Sequence, residues 1–445
     1  MNKIKNKLSV ILVGMLITLN SAGKSETKDL DISNNELFLN KLNDDYLTAR
    51  TDFRNLADKL KMKFPEAEVQ SNSIAVDNSR PELSDLTIDS IFIPARNNTN
   101  SKNLIVLTSG MHGVEAPAGS FQQRLIMQKL LTTHQGDINF ENSSLLIIHA
   151  INPYGFKYGR RFNENNVDLN RNCMNQKSGE FAGSKIINQA YLKFQRLLES
   201  PVKFLGLNKD ITQFIPAYPL TTAQVAFYGI KSSESKTQLT QALSGQYQSA
   251  KGIYYGGTKV EASCQITQSL MSKRIEDTNA IDILHIDFHT GLGKSGISQI
   301  MINPKPKSQN EVSAYNRELA VIKALFADKK CKDICEVQES DPNGFITFGD
   351  ITQWINEAYP DKRLKGTVIS VTSEIGTSNA VYVLPTLINE NYCFHNREAC
   401  KSNGFIFARD RLKKQFNPAD DQDWQIQVLK GGNVIFKALS DFSRR

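Results

Sequence analysis

Four short apolar runs constrain this chain more than any other feature. They are Leu104–Leu107, Leu145–Ala150, Ile283–Phe288 and Thr367–Val371, and each gives way at once to polar or glycine-rich residues. Runs of this length, bounded by turn-forming residues, read as strands buried on both faces. Helical periodicity falls between them, at about Gly119–Leu131, Ala190–Leu198 and Tyr315–Phe326. Strands alternating with helices predict an α/β fold: a mixed, mostly parallel central sheet with helices on both faces. A further helix is expected from about Asn35 to Phe64, where Leu37, Leu39, Leu42, Tyr46, Ala49, Phe53, Leu56 and Leu60 recur at helical spacing. Ser33 would cap that helix and Pro65 would end it. No internal repeat or low-complexity segment interrupts the pattern.

In such sheets ligands bind beyond the carboxyl ends of the strands. Three of these ends carry metal-binding or acid–base side chains. Leu104–Leu107 runs into Thr108-Ser109-Gly110-Met111-His112-Gly113-Val114-Glu115, Ile283–Phe288 into His289-Thr290-Gly291, and Thr367–Val371 into Thr372-Ser373-Glu374-Ile375-Gly376. Catalytic zinc commonly takes three protein ligands and leaves one position open. Two histidines and a carboxylate make such a set, so His112, Glu115 and His289 are the predicted ligands of one zinc ion. His112 and Glu115 are three residues apart, so one turn can aim both at a point. His285 competes with His289, since both can share one strand face; His289 is preferred for its place at the strand's exit. His149 reads as a core residue, His134 as solvated, and His395, between Cys393 and Cys400, as structural or exposed.

The amino terminus predicts export. Lys3, Lys5 and Lys7 precede the uncharged run Leu8–Leu19, and small or polar residues follow to Gly23. This is the three-part pattern of a secretory signal peptide over residues 1–23, and the run is about half the ~20 residues of a spanning helix. A loose polar segment is expected over 24–34, and a single catalytic domain over 35–445. The formal charge of +7 falls to +4 without the three leader lysines, too mild to argue for a nucleic-acid partner. No later stretch is long and apolar enough for stable membrane insertion. All six cysteines follow the leader, and in an exported chain they can form three disulfides. Cys331 with Cys335, and Cys393 with Cys400, can close small loops, which leaves Cys173 with Cys264. No CxxC pair suggests a cysteine-ligated metal.

The chain resembles the zinc carboxypeptidase family, and within it a poorly characterised bacterial branch. Asn152-Pro153-Tyr154-Gly155-Phe156 is similar to the family's NPxGF stretch. Arg161 followed by Asn163–Asn172 (NENNVDLNRN) is similar to its arginine and DxNR segment. His112, Glu115, His289 and Glu374 match its metal and catalytic positions in the same order, and the resemblance covers about residues 45–440. It implies a zinc-carboxypeptidase-like fold with one zinc ion, and a role for each matching residue. Glu374 is implied as the general base for zinc-activated water and Arg161 as the oxyanion partner, with Arg160 the alternative. Asn170 and Arg171 are implied to hold a substrate carboxylate, and Asp168 to orient a ligand histidine, His112 by preference. The chemistry agrees: zinc acidifies water, a fixed guanidinium stabilises a developing oxyanion, and arginine binds carboxylates bidentately.

Two features depart from the family pattern. Between Arg171 and His289 lie 117 residues, which implies an insertion at about 174–280 that contains Tyr254-Tyr255-Gly256-Gly257. The family's active-site tyrosine has no clear counterpart, although Tyr359 and Tyr382 flank Glu374. The expected activity is that of an exported zinc metallopeptidase cleaving an amide bond, removing C-terminal residues from peptides. The alternatives are a zinc amidohydrolase or deacylase acting on acyl-amino acids or cell-wall peptides, and a non-catalytic binding protein on the same fold. The expected partner is a peptide or acyl-amino acid with a free carboxylate.

Overall fold

In the computed structural model the described residues are 38–445, apart from 76–78, 97–100, 133–136, 176–180, 200–221, 224, 227–232, 307, 328–330, 332, 341–346 and 379. The expected leader, the segment 24–34, Ser33 and His134 lie outside the described residues. Eight strands form one sheet: β1 (Glu68–Ser73), β2 (Thr87–Ile93), β3 (Asn103–Ser109), β4 (Ser143–His149), β5 (Asp282–Leu292), β6 (Ser298–Ile302), β7 (Cys335–Glu339) and β8 (Thr367–Ser378), in the order β1-β2-β4-β3-β5-β8-β6-β7. The middle four, β4-β3-β5-β8, are mutually parallel. Antiparallel pairs join β1 to β2, β2 to β4 and β8 to β6, and β6 is parallel to β7. The sheet is mixed and mostly parallel, as the apolar runs predict.

Side-chain alternation sorts the central strands onto two cores. Ile105, Leu107, Leu284, Ile286 and Phe288 pack with residues of the helices Tyr46–Lys63, Ala116–Thr132, Gln309–Leu325 and Gln422–Phe442. Leu104, Val106, Ile283 and Val368 pack on the opposite face with the helices Ala262–Asp277 and Ile351–Ala358. Helices therefore cover both faces. On this second face the strands change character along their length. After Val106 comes Thr108, after Ile283 come His285, Asp287 and His289, and after Val368 come Ser370, Thr372 and Glu374. The apolar half anchors the sheet, and the polar half faces the site.

The structure corrects two expectations and adds four flanking strands. The first helix is not continuous from Asn35: a 3₁₀ turn occupies Asn40–Asn43, and the α-helix runs Tyr46–Lys63, capped by Asp45, whose side chain accepts from the Thr48 N–H at 2.9 Å. An aspartate there satisfies an amide that would otherwise have no partner, so the helix starts at that point. β5 and β8 continue past their apolar runs to Leu292 and Ser378, so His289 and Glu374 lie within paired strands rather than beyond them. Strands β1, β2, β6 and β7 lack a clean apolar run, because they flank the parallel core and carry polar residues such as those of Glu68–Ser73.

All six cysteines pair as the spacing suggests: Cys173–Cys264, Cys331–Cys335 and Cys393–Cys400, with Cα atoms 5.1, 4.9 and 5.4 Å apart. Residues Leu39–Arg445 form one compact unit. Among the described residues no helix is long and apolar enough to cross a membrane.

Candidate metal centre

His112, Glu115 and His289 come together. Gly110 turns the chain out of β3 with φ +70°, and His112 and Glu115 follow on a 3₁₀ turn over Gly113–Glu115. The turn packs so closely on the NPYGF segment that a Cβ at Gly113 would lie 2.0 Å from the Gly155 carbonyl carbon. His289 arrives from β5, directly opposite Glu374 of β8 in register. The His112 Nδ1 lies 2.8 Å from Glu115 Oε1, and His289 Nδ1 lies 3.2 Å from His112 Nδ1 and 3.0 Å from Glu115 Oε2. Three donors each about 2.0–2.2 Å from one zinc ion in tetrahedral array would stand roughly 3.3–3.6 Å apart, so these three need only spread by some tenths of an ångström to take it. The donor set and its spacing fit zinc, and this is the one such group of histidine, cysteine and carboxylate donors among the described residues.

Each histidine turns its other nitrogen to a carboxylate. His112 Nε2 lies 3.2 Å from Asp168 Oδ1, and His289 Nε2 lies 2.7 Å from Asp287 Oδ2. That arrangement fixes ring orientation and tautomer in metal sites. All five residues are buried. Burial alone would raise the Glu115 carboxyl, but His112 and His289 hold it below the usual carboxylate range. Arg161 and His112 likewise hold Asp168 well below its ordinary value against the cost of burial. Asp287 is a residue the sequence reading misses. Its signal is the alternation His285-x-Asp287-x-His289, which puts all three on one face.

A family model described as a protein of unknown function, DUF2817, matches residues 43–431. The chain belongs to the DUF2817 family. No curated protein matches it. The solved structures similar to it include a metallo-carboxypeptidase from Burkholderia cenocepacia, at 9% identity and TM-score 0.42, covering 86% of this chain and 66% of that one. The chain thus spans just under two thirds of that protein's length. They also include a carboxypeptidase A from Helicoverpa armigera (13% identity, TM-score 0.38, 95% and 82% covered) and a murein-tripeptide amidase from Escherichia coli O157 (14%, 0.32, 78% and 92%). Metallocarboxypeptidases are the kind of protein that the sequence motifs resemble.

In this DUF2817 chain the two adjacent arginines part company. Arg161 donates from Nε to Asp168 Oδ2 at 3.0 Å and from Nη1 to Glu115 Oε1 at 3.2 Å. Its carbonyl accepts from Asn152 Nδ2 and from the Gly113 N–H, at 3.1 and 3.3 Å, so the NPYGF segment holds Arg161 against the ligand turn. Arg160 instead pairs with the buried Glu390 at 2.7 Å and lies over the Phe394 ring. Glu374 is partly accessible. Its Oε1 accepts from the Leu292 N–H at 3.1 Å, and burial together with the nearby Glu115 charge raises its carboxyl to about 7.

Asp168 caps the short 3₁₀ turn Leu169–Arg171 by accepting from the Asn170 N–H at 3.1 Å. Asn170 is half-buried. Arg171 is buried, and its guanidinium donates to the carbonyls of Asn170 and Leu243 at 3.0 and 3.1 Å. The Arg161 and Arg171 guanidiniums both face the buried Tyr254 ring, 5.3 and 5.5 Å from its centroid. Tyr254 therefore stands at the site arginines, whereas Tyr359 packs against Trp354 and Tyr382 is exposed. Tyr254 comes from the stretch of chain between Arg171 and His289, which is pinned to the DLNRN segment. The Asp168 N–H donates to the Tyr255 carbonyl at 2.7 Å, and Asn172 Nδ2 donates to the carbonyls of Gly256 and Lys259 at 2.8 and 2.7 Å. The Cys173–Cys264 disulfide ties the same two segments.

Proposed function

We propose that this protein is an exported zinc-dependent hydrolase that cleaves an amide bond next to a free carboxylate, a metallocarboxypeptidase in type. The observation that carries the reading is the buried His112–Glu115–His289 group, with an acid of raised pKa, Glu374, on the neighbouring strand position. His112, Glu115 and His289 would hold the ion. A bound zinc ion would polarise the scissile carbonyl and acidify water. Glu374, poised near neutral pH, accepts a proton from the attacking water and passes it to the leaving amine. Arg161 presents its guanidinium to the oxygen on which charge develops, held in place by Asp168 and the Asn152 side chain. Asn170 and Arg171 receive the substrate carboxylate, and Tyr254 packs against the guanidinium. Residues 174–280 act as an insertion in a single catalytic domain over 35–445, and from that stretch Tyr254 stands beside Arg161 and Arg171. Export over a cleaved leader at 1–23 is supported by the three disulfides, which persist in oxidising compartments.

The test compares a good peptide substrate with its C-terminal amide. An amide removes the counter-charge from a buried arginine, which is costly. Amidation is expected to lower kcat/KM by at least about tenfold, or about 1.4 kcal/mol, and Arg171→Ala should erase most of that difference. Equal cleavage of both forms would reject the exopeptidase reading in favour of an amidohydrolase or deacylase. Cleavage of neither, nor of acyl-amino acids, by a zinc-loaded chain would leave a binding protein.

A further inference from the structure

Behind His289 a line of buried polar side chains crosses three strands of the sheet. Thr108 of β3 stands opposite Asp287 of β5 in register, and His285 of β5 stands opposite Ser370 of β8. Asp287 Oδ2 meets His289 Nε2 at 2.7 Å, and Asp287 Oδ1 accepts from the Thr108 hydroxyl at 2.7 Å. Thr108 Oγ1 also lies 2.8 Å from His285 Nε2, and His285 Nδ1 lies 2.7 Å from Ser370 Oγ. Thr108, His285, Asp287 and Ser370 are all buried.

The direction of every bond follows from one constraint. An aspartate carboxylate only accepts. The single Thr108 proton is therefore committed to Asp287, and the Thr108 oxygen must accept from His285 Nε2–H. Burial pushes His285 down to about 4, so at neutral pH its ring carries one N–H. With that proton on Nε2, His285 Nδ1 is bare and takes the Ser370 hydroxyl proton. At the other end Asp287 holds the His289 proton on Nε2. The lone pair of His289 Nδ1 then points to Glu115 and His112. Which nitrogen of a histidine can bind a metal is set by the bond its other nitrogen makes.

We propose that Thr108, His285 and Ser370 are positioning residues that lock the tautomer of His289 through Asp287 and thereby set the zinc affinity of the site. The proposal rests on the zinc-site reading above. It gives a role to His285, which shares a strand face with His289 yet lies too deep in the sheet to join the ligands.

The test has two readouts. The first is the ring of His285 in uniformly ¹⁵N-histidine-labelled, metal-free protein at pH 7, assigned by loss of its signals in His285→Gln. Protonation at Nε2 with a bare Nδ1 is expected, and an Nδ1–H ring overturns the relay whatever zinc does. The second is zinc affinity by chelator competition. Thr108→Val keeps the shape and removes the hydroxyl. It is expected to weaken zinc binding by about 10- to 100-fold and to move the His285 proton to Nδ1, where Ser370 can accept it. Thr108→Ser restores the hydroxyl and should return both readouts to those of the unmodified chain. Thr108→Val with unchanged zinc affinity overturns the proposal. Should that variant fail to fold, Ser370→Ala takes its place, with an expected loss of roughly threefold or more against the same upper bound. An unmodified chain that binds no zinc overturns the hydrolase reading, and the His285 tautomer then still decides the direction of the relay.

Discussion

The wall of the site that carries His289 and Glu374 is built from adjacent parallel strands, whereas the wall that carries Arg171 and Tyr254 is built from loops. On the strand side, pairing fixes position. His289 and Glu374 are register partners, and Thr108 and Asp287 are register partners one strand away. On the loop side, position depends on unusual backbone and close packing. Asn166 and Tyr254 both have left-handed φ values, 59° and 56°, rare for a residue with a side chain. A Cβ at Gly245 would lie 2.7 Å from Arg171 Cδ. On the proposed reading, β5, β8 and the turn after β3 hold the metal and the base, while the loops that carry Arg171 and Tyr254 receive the substrate. Changes on the strand side should therefore alter metal binding or turnover, and changes on the loop side should alter selectivity with the metal retained.

The largest effect is expected from Glu374→Gln. It should keep zinc, because Glu374 is not among the converging donors, and lower kcat by about 10³ to 10⁴, the upper part of what a general base supplies. Near-normal turnover of the variant would remove the proposed base. Next comes Arg161→Ala, which spans the two walls. As the proposed oxyanion donor, Arg161 should on removal lower kcat by about 10² to 10³. Arg160→Ala probes the adjacent arginine, which bonds to Glu390, and should act through stability, read as a lower Tm. If Arg160→Ala instead matched the kinetic loss with Tm unchanged, the two arginines would have to exchange roles.

The division between walls also decides how much could be read from sequence. Where a residue sits at the end of a buried apolar run, as His112 and His289 do, its neighbourhood follows from strand pairing. The role of Asp287 was within reach of the same reasoning, since period two places it beside His289, but a carboxylate two residues before a ligand reads equally as strand filler. Tyr254 was not legible in that way. Its place beside Arg161 and Arg171 depends on the Asp168–Tyr255 backbone bond, on Asn172 and on the Cys173–Cys264 link, all of which join segments far apart in sequence. The flanking strands were illegible for another reason: half-solvated edges such as β1 carry no apolar run.

A smaller effect sharpens the loop side. Gly245 has φ +131°, so Gly245→Ala both strains the backbone and presses on Arg171. It should reduce the preference for a free carboxylate over its amide by roughly threefold to tenfold, about the net worth of one hydrogen bond, and leave zinc affinity unchanged. Loss of zinc in that variant would show that the two walls are not independent.

A last effect, slight near neutral pH, lies away from the site and tests the core beneath it. His149 is buried, stacks on Phe53 with ring centroids 4.6 Å apart, and meets Ser120 Oγ at 2.8 Å. Burial pushes it to about 3, assisted by the charges of Arg124, Arg54 and Arg50 and opposed by Asp52. Its folded value is depressed, so the unfolded chain takes up a proton first as pH falls. The stability from keeping it neutral is complete above about 6.5 and is lost progressively down to about 3. In urea unfolding, the unmodified chain should lose stability over that window faster than His149→Gln does. Parallel pH curves would mean that His149 does not contribute in this way.

His112, Glu115 and His289 are proposed to hold one zinc ion, and metal content after dialysis against a weak chelator tests this most directly. The unmodified chain and Glu374→Gln should each retain one zinc per chain, while His112→Ala, Glu115→Ala and His289→Ala should each lose it with the fold intact by circular dichroism. A folded, unmodified chain that retains no zinc, or a His289→Ala variant that keeps a full equivalent at unchanged affinity, would contradict the account.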